Sequence, residues 1–290
     1  MKERIVERVI QGQPSSDGAG VNLSRSLGQS QAARLDPFLM LDEFRSDEAA
    51  DYIGGFPSHP HRGFETVTYM LAGAMNHRDS LGNAGTIRAG DVQWMTAAGG
   101  IVHSEMPEQQ EGEMHGFQLW INLPASEKMK APRYQDIGSE RIPELRGQGV
   151  TVRVITGEAE LEGETARGPV TGITTEPTYL DVVLEPGARF RQVVSPQLNA
   201  LVYVYEGDVS AGTDGFSPVS RGNAGVLSSG DLVDLKAGSH GASLLLLAAR
   251  PVREPVVQYG PFVMNTRDEI EQAIRDYQLG RFAVEPVEAP

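Results

Sequence analysis

The chain has 290 residues, 40% hydrophobic and 22% charged, with 39 acidic against 25 basic residues and a formal net charge of -14. That length points to two domains or one heavily elaborated domain, and the composition is that of a folded chain rather than a disordered or fibrous one. The acidic surplus opposes phosphate backbones and anionic lipid, so direct nucleic-acid binding is excluded. The lack of cysteine excludes disulfides, thiolate ligands and cysteine nucleophiles, and leaves nitrogen and oxygen to hold any metal.

The N-terminal run MKERIVERVIQGQP alternates charged and apolar residues and contains no stretch long and apolar enough for a signal peptide or a spanning helix. A cytoplasmic protein without membrane contact is expected. From there the 33 glycines and 18 prolines punctuate short runs rich in Val, Thr, Tyr and Leu, such as ETVTYMLAG, GVTVRVITG, TYLDVVLEPG and ALVYVYEGDV. The period-two alternation of TVTYM and TVRVI is that of strands with one buried face, and the fold class is all-β.

His59 and His61 are two residues apart in SHPHRGFETVTYM, and His103 and Glu105 are two apart in GGIVHSEM. Residues at i and i+2 of an extended segment share a face, so two such pairs on neighbouring strands can aim three imidazoles and a carboxylate at one point. The set is a complete metal-ligand set of three nitrogens and one oxygen. Other polar candidates read as structural: His77 and Asp79 as a solvated loop pair in NHRDSLGNAG, His115 as a hydrogen-bonded histidine near a strand start, and Arg62 as the partner of a local carboxylate. Trp94, Gln118 and Trp120 are candidates for a pocket wall, with core burial the blander reading of the aromatics.

AGTIRAGDV from Ala84 recurs as AGVLSSGDL from Ala224, and YMLAGAM from Tyr69 corresponds to YVYEGDV from Tyr203. Such self-similarity indicates a tandem duplication of one β-domain. The repeat shift places Val193 and Ser195 opposite His59 and His61, and Ser243 and Leu245 opposite His103 and Glu105, so only the first copy carries a ligand set; His240 is the one histidine near the corresponding region. A polar segment from about Met129 to Gly149, with Pro132 and Pro143, separates the copies. The expected domains are residues 1–137, with the metal, and 138–290, without one. Near the end, Thr266 and Glu269 form a capping box ahead of Ile270, Ala273, Ile274 and Tyr277, and Gly280 terminates the helix.

The segments GGFPSHPHRGFETVTYMLAG, AGDVQWMTAAGGIVHSEMP, GFQLWINLP and REPVVQYGPFVMNT, with the trailing capped helix, resemble the pirin family of the cupin superfamily over nearly the whole chain. The resemblance implies two tandem jelly-roll-like cupin β-barrels with a short C-terminal α-helix. It implies one metal ion, iron(II) first, held by His59, His61, His103 and Glu105, although manganese, nickel, copper and zinc suit the same donors. Glu65 falls where the general cupin pattern has its motif glutamate and competes with Glu105, which the family favours; Ala98 stands where that pattern usually has proline. The activity implied is a quercetin 2,3-dioxygenase reaction on a flavonol and dioxygen with release of carbon monoxide, Glu105 being the catalytic base. The family also implies a second reading, a regulatory protein that binds a transcription factor or metabolic enzyme with the metal as redox switch. A third has the metal only stabilising its domain. Two barrels in one chain favour a monomer.

Overall fold

The computed structural model describes residues 1–212 and 218–282. They form an all-β structure with a single α-helix, Arg267–Gln278, and short 3-10 turns. No helix among them is long and apolar enough to cross a membrane. Two compact units emerge, each discontinuous in sequence. One comprises Met1–Gln13, Ser26–Pro37 and Glu140–Pro251, the other Pro14–Arg25, Phe38–Ser139 and Val252–Pro290. The long crossing falls at Ser139, but the first residues join the unit built mainly from the second half, and the C-terminal segment with its helix joins the unit that contains His59, His61 and His103.

The N-terminal exchange has a clear cause. Strand Val6–Gln11 pairs antiparallel with strand Asn223–Leu227 at the edge of a nine-stranded sheet. Just ahead of it, Arg4 is only 1% exposed, and its guanidinium donates to the carbonyls of Ser228, Ser195 and Leu198 at 3.1, 2.7 and 2.9 Å. The core of this unit is a layer of alternate residues, among them Leu180, Val182, Val202, Val204, Leu244 and Leu246, as the strand period requires.

The unit that contains His59, His61 and His103 has two sheets. The larger orders its strands Arg133–Ile137, Val92–Thr96, Phe64–Ala72, Met114–Asn122, Phe38–Ser46, Val21–Leu27 and Gln13–Asp17; the smaller runs Phe56–His61, Ile101–Pro107, Ala74–Asp79, Ala84–Arg88. The expected barrels are thus realised as a pair of sheets in this unit and one nine-stranded sheet in the other, and among the described residues no ladder of strands closes into a ring. The sequence repeat at Ala84 and Ala224 is not a structural one: Ala84–Arg88 pairs with Ala74–Asp79 at the edge of the four-stranded sheet, whereas Asn223–Leu227 lies between Val6–Gln11 and Asn199–Ala211 in the nine-stranded sheet, the place that Val92–Thr96 holds between Arg133–Ile137 and Phe64–Ala72. Gly90 has φ of 87°, where a side chain is disfavoured, and Asp91 accepts from the backbone amides of Arg88 and Ser139 at 2.8 and 2.7 Å.

The C-terminal helix obeys the expected signals. Thr266 accepts from the Glu269 amide while the Glu269 carboxylate accepts from the Thr266 amide. At the other end Gly280, at φ 66°, donates to the Tyr277 carbonyl and Arg281 donates to that of Asp276, a Schellman turn that sends the chain back along the helix.

Arg4→Met should cost on the order of 2–4 kcal/mol, because one buried and two part-buried carbonyls lose a charged donor. Equilibrium denaturation of the full chain checks this, with an unchanged midpoint as the contrary result.

Candidate metal centre

His59 and His61 lie on strand Phe56–His61, the edge of the four-stranded sheet, where Pro57 and Pro60 are tolerated because an edge strand has amides with no ladder partner. The neighbouring strand Ile101–Pro107 brings His103 directly opposite His59, then Glu105 opposite Phe56. Two residues on one strand therefore face three on the other. This bulge turns the edge strand and gathers the imidazoles.

Ring centroids of His59, His61 and His103 lie 4.5–4.9 Å apart, and one ligand atom from each falls within 4.8 Å of the others. No second such cluster occurs among the described residues. His59 Nδ1 is 2.8 Å from the Pro57 carbonyl, so it carries the proton and leaves a lone pair on Nε2. That Nε2 stands 2.9 Å from His61 Nε2. Both nitrogens of His103 lack a hydrogen-bond partner although the ring is 2% exposed. Burial, followed by the neighbouring imidazoles, pushes His61 and His103 well below the usual histidine range, so both are neutral donors.

These residues fit a metal ion. Two lone-pair nitrogens in contact repel unless a cation or proton lies between them, and adjacent ligands with bonds of about 2.1 Å come to roughly 3 Å apart. Glu105 stands beside the histidine cluster rather than within it. Its carboxylate, 4% exposed, accepts from Thr68 Oγ1 at 2.9 Å, and burial raises its pKa against the opposing pull of His59 and of that hydrogen bond.

The wall of the site comes from the seven-stranded sheet. Thr68 pairs with Gln118, and Gln118 with Asp42, so these three share one face. Asp42 is buried and held by both nitrogens of a bidentate Arg25, at 2.8 and 2.7 Å. Trp120, on the same face, contacts His61 and Phe64 with centroid distances of 5.3 and 4.3 Å. Gln118 occupies the middle of the central strand yet keeps accessible surface, whereas Phe117 and Leu119 beside it are 0% and 1% exposed. Open space therefore lies on the face that Gln118 shares with Thr68.

Two cupin-type models match the chain: pirin over residues 20–121 and the pirin C-terminal cupin domain over residues 179–283. The chain belongs to the pirin family. A pirin-like protein of Caulobacter vibrioides is 52% identical over 97% of this chain and 100% of its own length. A Pseudomonas aeruginosa protein provisionally named a quercetin 2,3-dioxygenase is 50% identical, over 94% of this chain and 96% of its own. The crystal structure of a quercetin 2,3-dioxygenase from Acinetobacter baumannii superposes with a TM-score of 0.87 at 34% identity, covering 97% of this chain and 99% of that one. This pirin is thus similar to dioxygenase-named relatives and carries a three-histidine cluster suited to one metal ion.

The other candidates separate cleanly. Glu65 pairs with Thr96 on the sheet face turned away from Thr68, where Thr96 donates to it at 2.7 Å, so it neither competes with Glu105 nor supports the ligands. Trp94 shares that reverse face, and of the three pocket-wall candidates only Gln118 and Trp120 line the site. His115 bonds to Glu43 at 2.9 Å, as a structural histidine would. His77 is not in a loop: it is 3% exposed within strand Ala74–Asp79, opposite Glu105, while Asp79 caps the following turn by accepting from the amides of Leu81 and Asn83. Asn, Ser and Gly at 80–83 signalled that turn correctly, but the strand reaches closer to it than composition suggests. Arg62 pairs with no local carboxylate; its partner is Asp276. Ala98 has φ of 41°, which the proline ring cannot adopt, and this explains the departure from the cupin pattern.

Two measurements test this description. His103→Ala should abolish metal retention, read as metal per chain by elemental analysis after desalting. Burial raises Glu65 to about 7 from an ordinary 4.5, so its contribution to stability is present below about pH 4.5 and is lost as the pH rises through 7. Glu65→Gln should remove a loss on the order of 3 kcal/mol between acidic and alkaline buffer, checked by denaturant midpoints across that interval.

Proposed function

We propose that His59, His61, His103 and Glu105 hold iron(II), and that the centre performs a dioxygenase reaction on a flavonol such as quercetin, opening the ring with release of carbon monoxide. The observation that carries this reading is the combination of neutral, inward-facing histidines with accessible space beside Gln118. Four protein donors leave positions open on an iron-sized ion, whereas a structural centre would be closed. When bound, the metal supplies Lewis acidity and a common docking point for the substrate oxyanion and dioxygen.

The protein's own contribution is to move one proton and to orient the ring. Glu105 takes the proton of the flavonol 3-hydroxyl. Its burial favours that transfer, since a carboxylate raised above its ordinary range is a better base. Thr68 has a single hydroxyl proton and two acceptors, Glu105 at 2.9 Å and Gln118 Oε1 at 2.6 Å. While Glu105 is ionised it claims that proton. Once Glu105 is protonated it donates to Thr68, and Thr68 turns its own proton to Gln118, so the neutral acid becomes the better-satisfied form. Trp120 and Phe64 form an apolar wall against His61 on which a flat aromatic substrate can lie.

Iron-loaded protein given quercetin and oxygen should produce carbon monoxide, and Glu105→Gln should lower the rate per bound iron on the order of 10²-fold or more. Gas analysis checks both. Carbon monoxide at the level of the metal-free control, with iron bound, would exclude the activity.

A further inference from the structure

We infer that the segment from Pro261 to Phe282 is a clasp on the metal centre, and that Arg62 is the positioning residue through which it acts. The inference rests on the site being a metal centre and is independent of its catalytic chemistry.

Arg62 follows ligand His61 directly, and Gly99 lies four residues ahead of ligand His103. The Arg62 side chain is 4% exposed; its Nε donates to the Gly99 carbonyl at 2.7 Å, and Nη1 donates to Asp276 on the C-terminal helix at 2.8 Å. Its guanidinium carbon sits 4.3 Å from the centroid of the Phe282 ring. One planar cation thus joins the turn leaving one ligand strand and the turn entering the other to a helix 214 residues beyond Arg62 in sequence. With both edges of the fork engaged, Arg62 cannot also recruit an anionic substrate.

The backbone repeats the same connection. The Arg62 amide donates to the Pro261 carbonyl at 3.2 Å, and the Val263 amide donates to the Arg62 carbonyl at 3.0 Å. Gly63 donates to the Ala98 carbonyl at 2.8 Å, tying the two ligand loops to each other. Lys128, 1% exposed, donates to the carbonyls of Gly63 and Val263 and to Asn122 at 2.7, 3.0 and 2.7 Å. Close approach is built in: a Cβ on Gly63 would lie 1.9 Å from the Val263 carbonyl oxygen, and one on Gly100 would meet the Phe282 ring at 3.0 Å. The Schellman turn at Gly280 is what brings Phe282 back to this position.

Ligands held in place before binding cost the metal less reorganisation, so releasing the clasp weakens retention. Linkage requires the reverse as well: an ion that prefers the clasped arrangement must stabilise docking of the helix by the same free energy.

Cobalt(II) is the probe, with the full chain. Its affinity is measured by chelator competition, its visible spectrum at saturation, and amide exchange of residues 267–278 with and without the ion. Asp276→Ala and Arg62→Lys should each weaken cobalt binding about tenfold and alter the saturated spectrum, with Asp276→Glu restoring both. Cobalt should slow exchange of the helix in the wild type and not in Asp276→Ala. A purely structural role would lower the melting midpoint and leave the saturated spectrum unmoved. Tight wild-type binding, with both variants unchanged in affinity and spectrum, overturns the clasp alone; absence of cobalt binding to the wild type overturns the metal centre with it.

Discussion

Two imidazole nitrogens held 2.9 Å apart are the demand that the unit carrying the histidine cluster is arranged to meet. Left to themselves, such rings would separate or share a proton, and burial penalises the charged form. The fold answers by constraint. A bulge between Phe56 and His59 crowds the strand, the Pro57 carbonyl fixes the tautomer of His59, and the opposite strand presents His103 with no partner of its own. The outcome is a set of neutral imidazoles gathered as a metal ion requires.

The duplicated scaffold gives that constraint its meaning. The two halves share a strand arrangement, yet residues 232–236, which lie between Arg189–Val193 and the end of Asn199–Ala211 as Ile101–Pro107 lies between Phe56–His61 and Ala74–Asp79, put Asp234 opposite Arg191 where the first half has His103 opposite His59. Asp234 is buried and ion-paired to Arg189 and Arg191. The second copy thus fills that position with a charge pair, and among the described residues the histidine cluster occurs in the first copy alone.

Much of this was legible in the sequence because it is local. The i, i+2 spacing fixed which side chains share a face, the repeat located the Gly-Asp turns, and Thr266 with Glu269 marked a helix start that the structure reproduces to the hydrogen bond. What stayed hidden is non-local. Arg62 finds Asp276, the strand at Val6 finds the one at Asn223, and Glu65 faces away from the centre because a single step along a strand reverses the side chain. Spacing within HPHRGFE suggests that Glu65 could reach the histidines. The intervening turn at Gly63, held by the Ala98 and Val263 contacts, moves it onto another strand and the other face.

That same turn explains why the C-terminal helix belongs with the histidine cluster rather than with the half of the chain that precedes it. An edge strand containing two prolines makes few ladder hydrogen bonds of its own, and its last residue, His61, belongs to the histidine cluster. Some other element must hold the chain immediately after His61. The backbone bonds of Arg62 to Pro261 and Val263 do this, and the buried amine of Lys128 ties the two segments together at Gly63 and Val263. Burial lowers the pKa of that amine to about 8, the cost of taking a cation out of water, and the three oxygens around it offset that cost. A cation retained in so dry a position, in contact with both segments, indicates that the order of this turn is worth the desolvation.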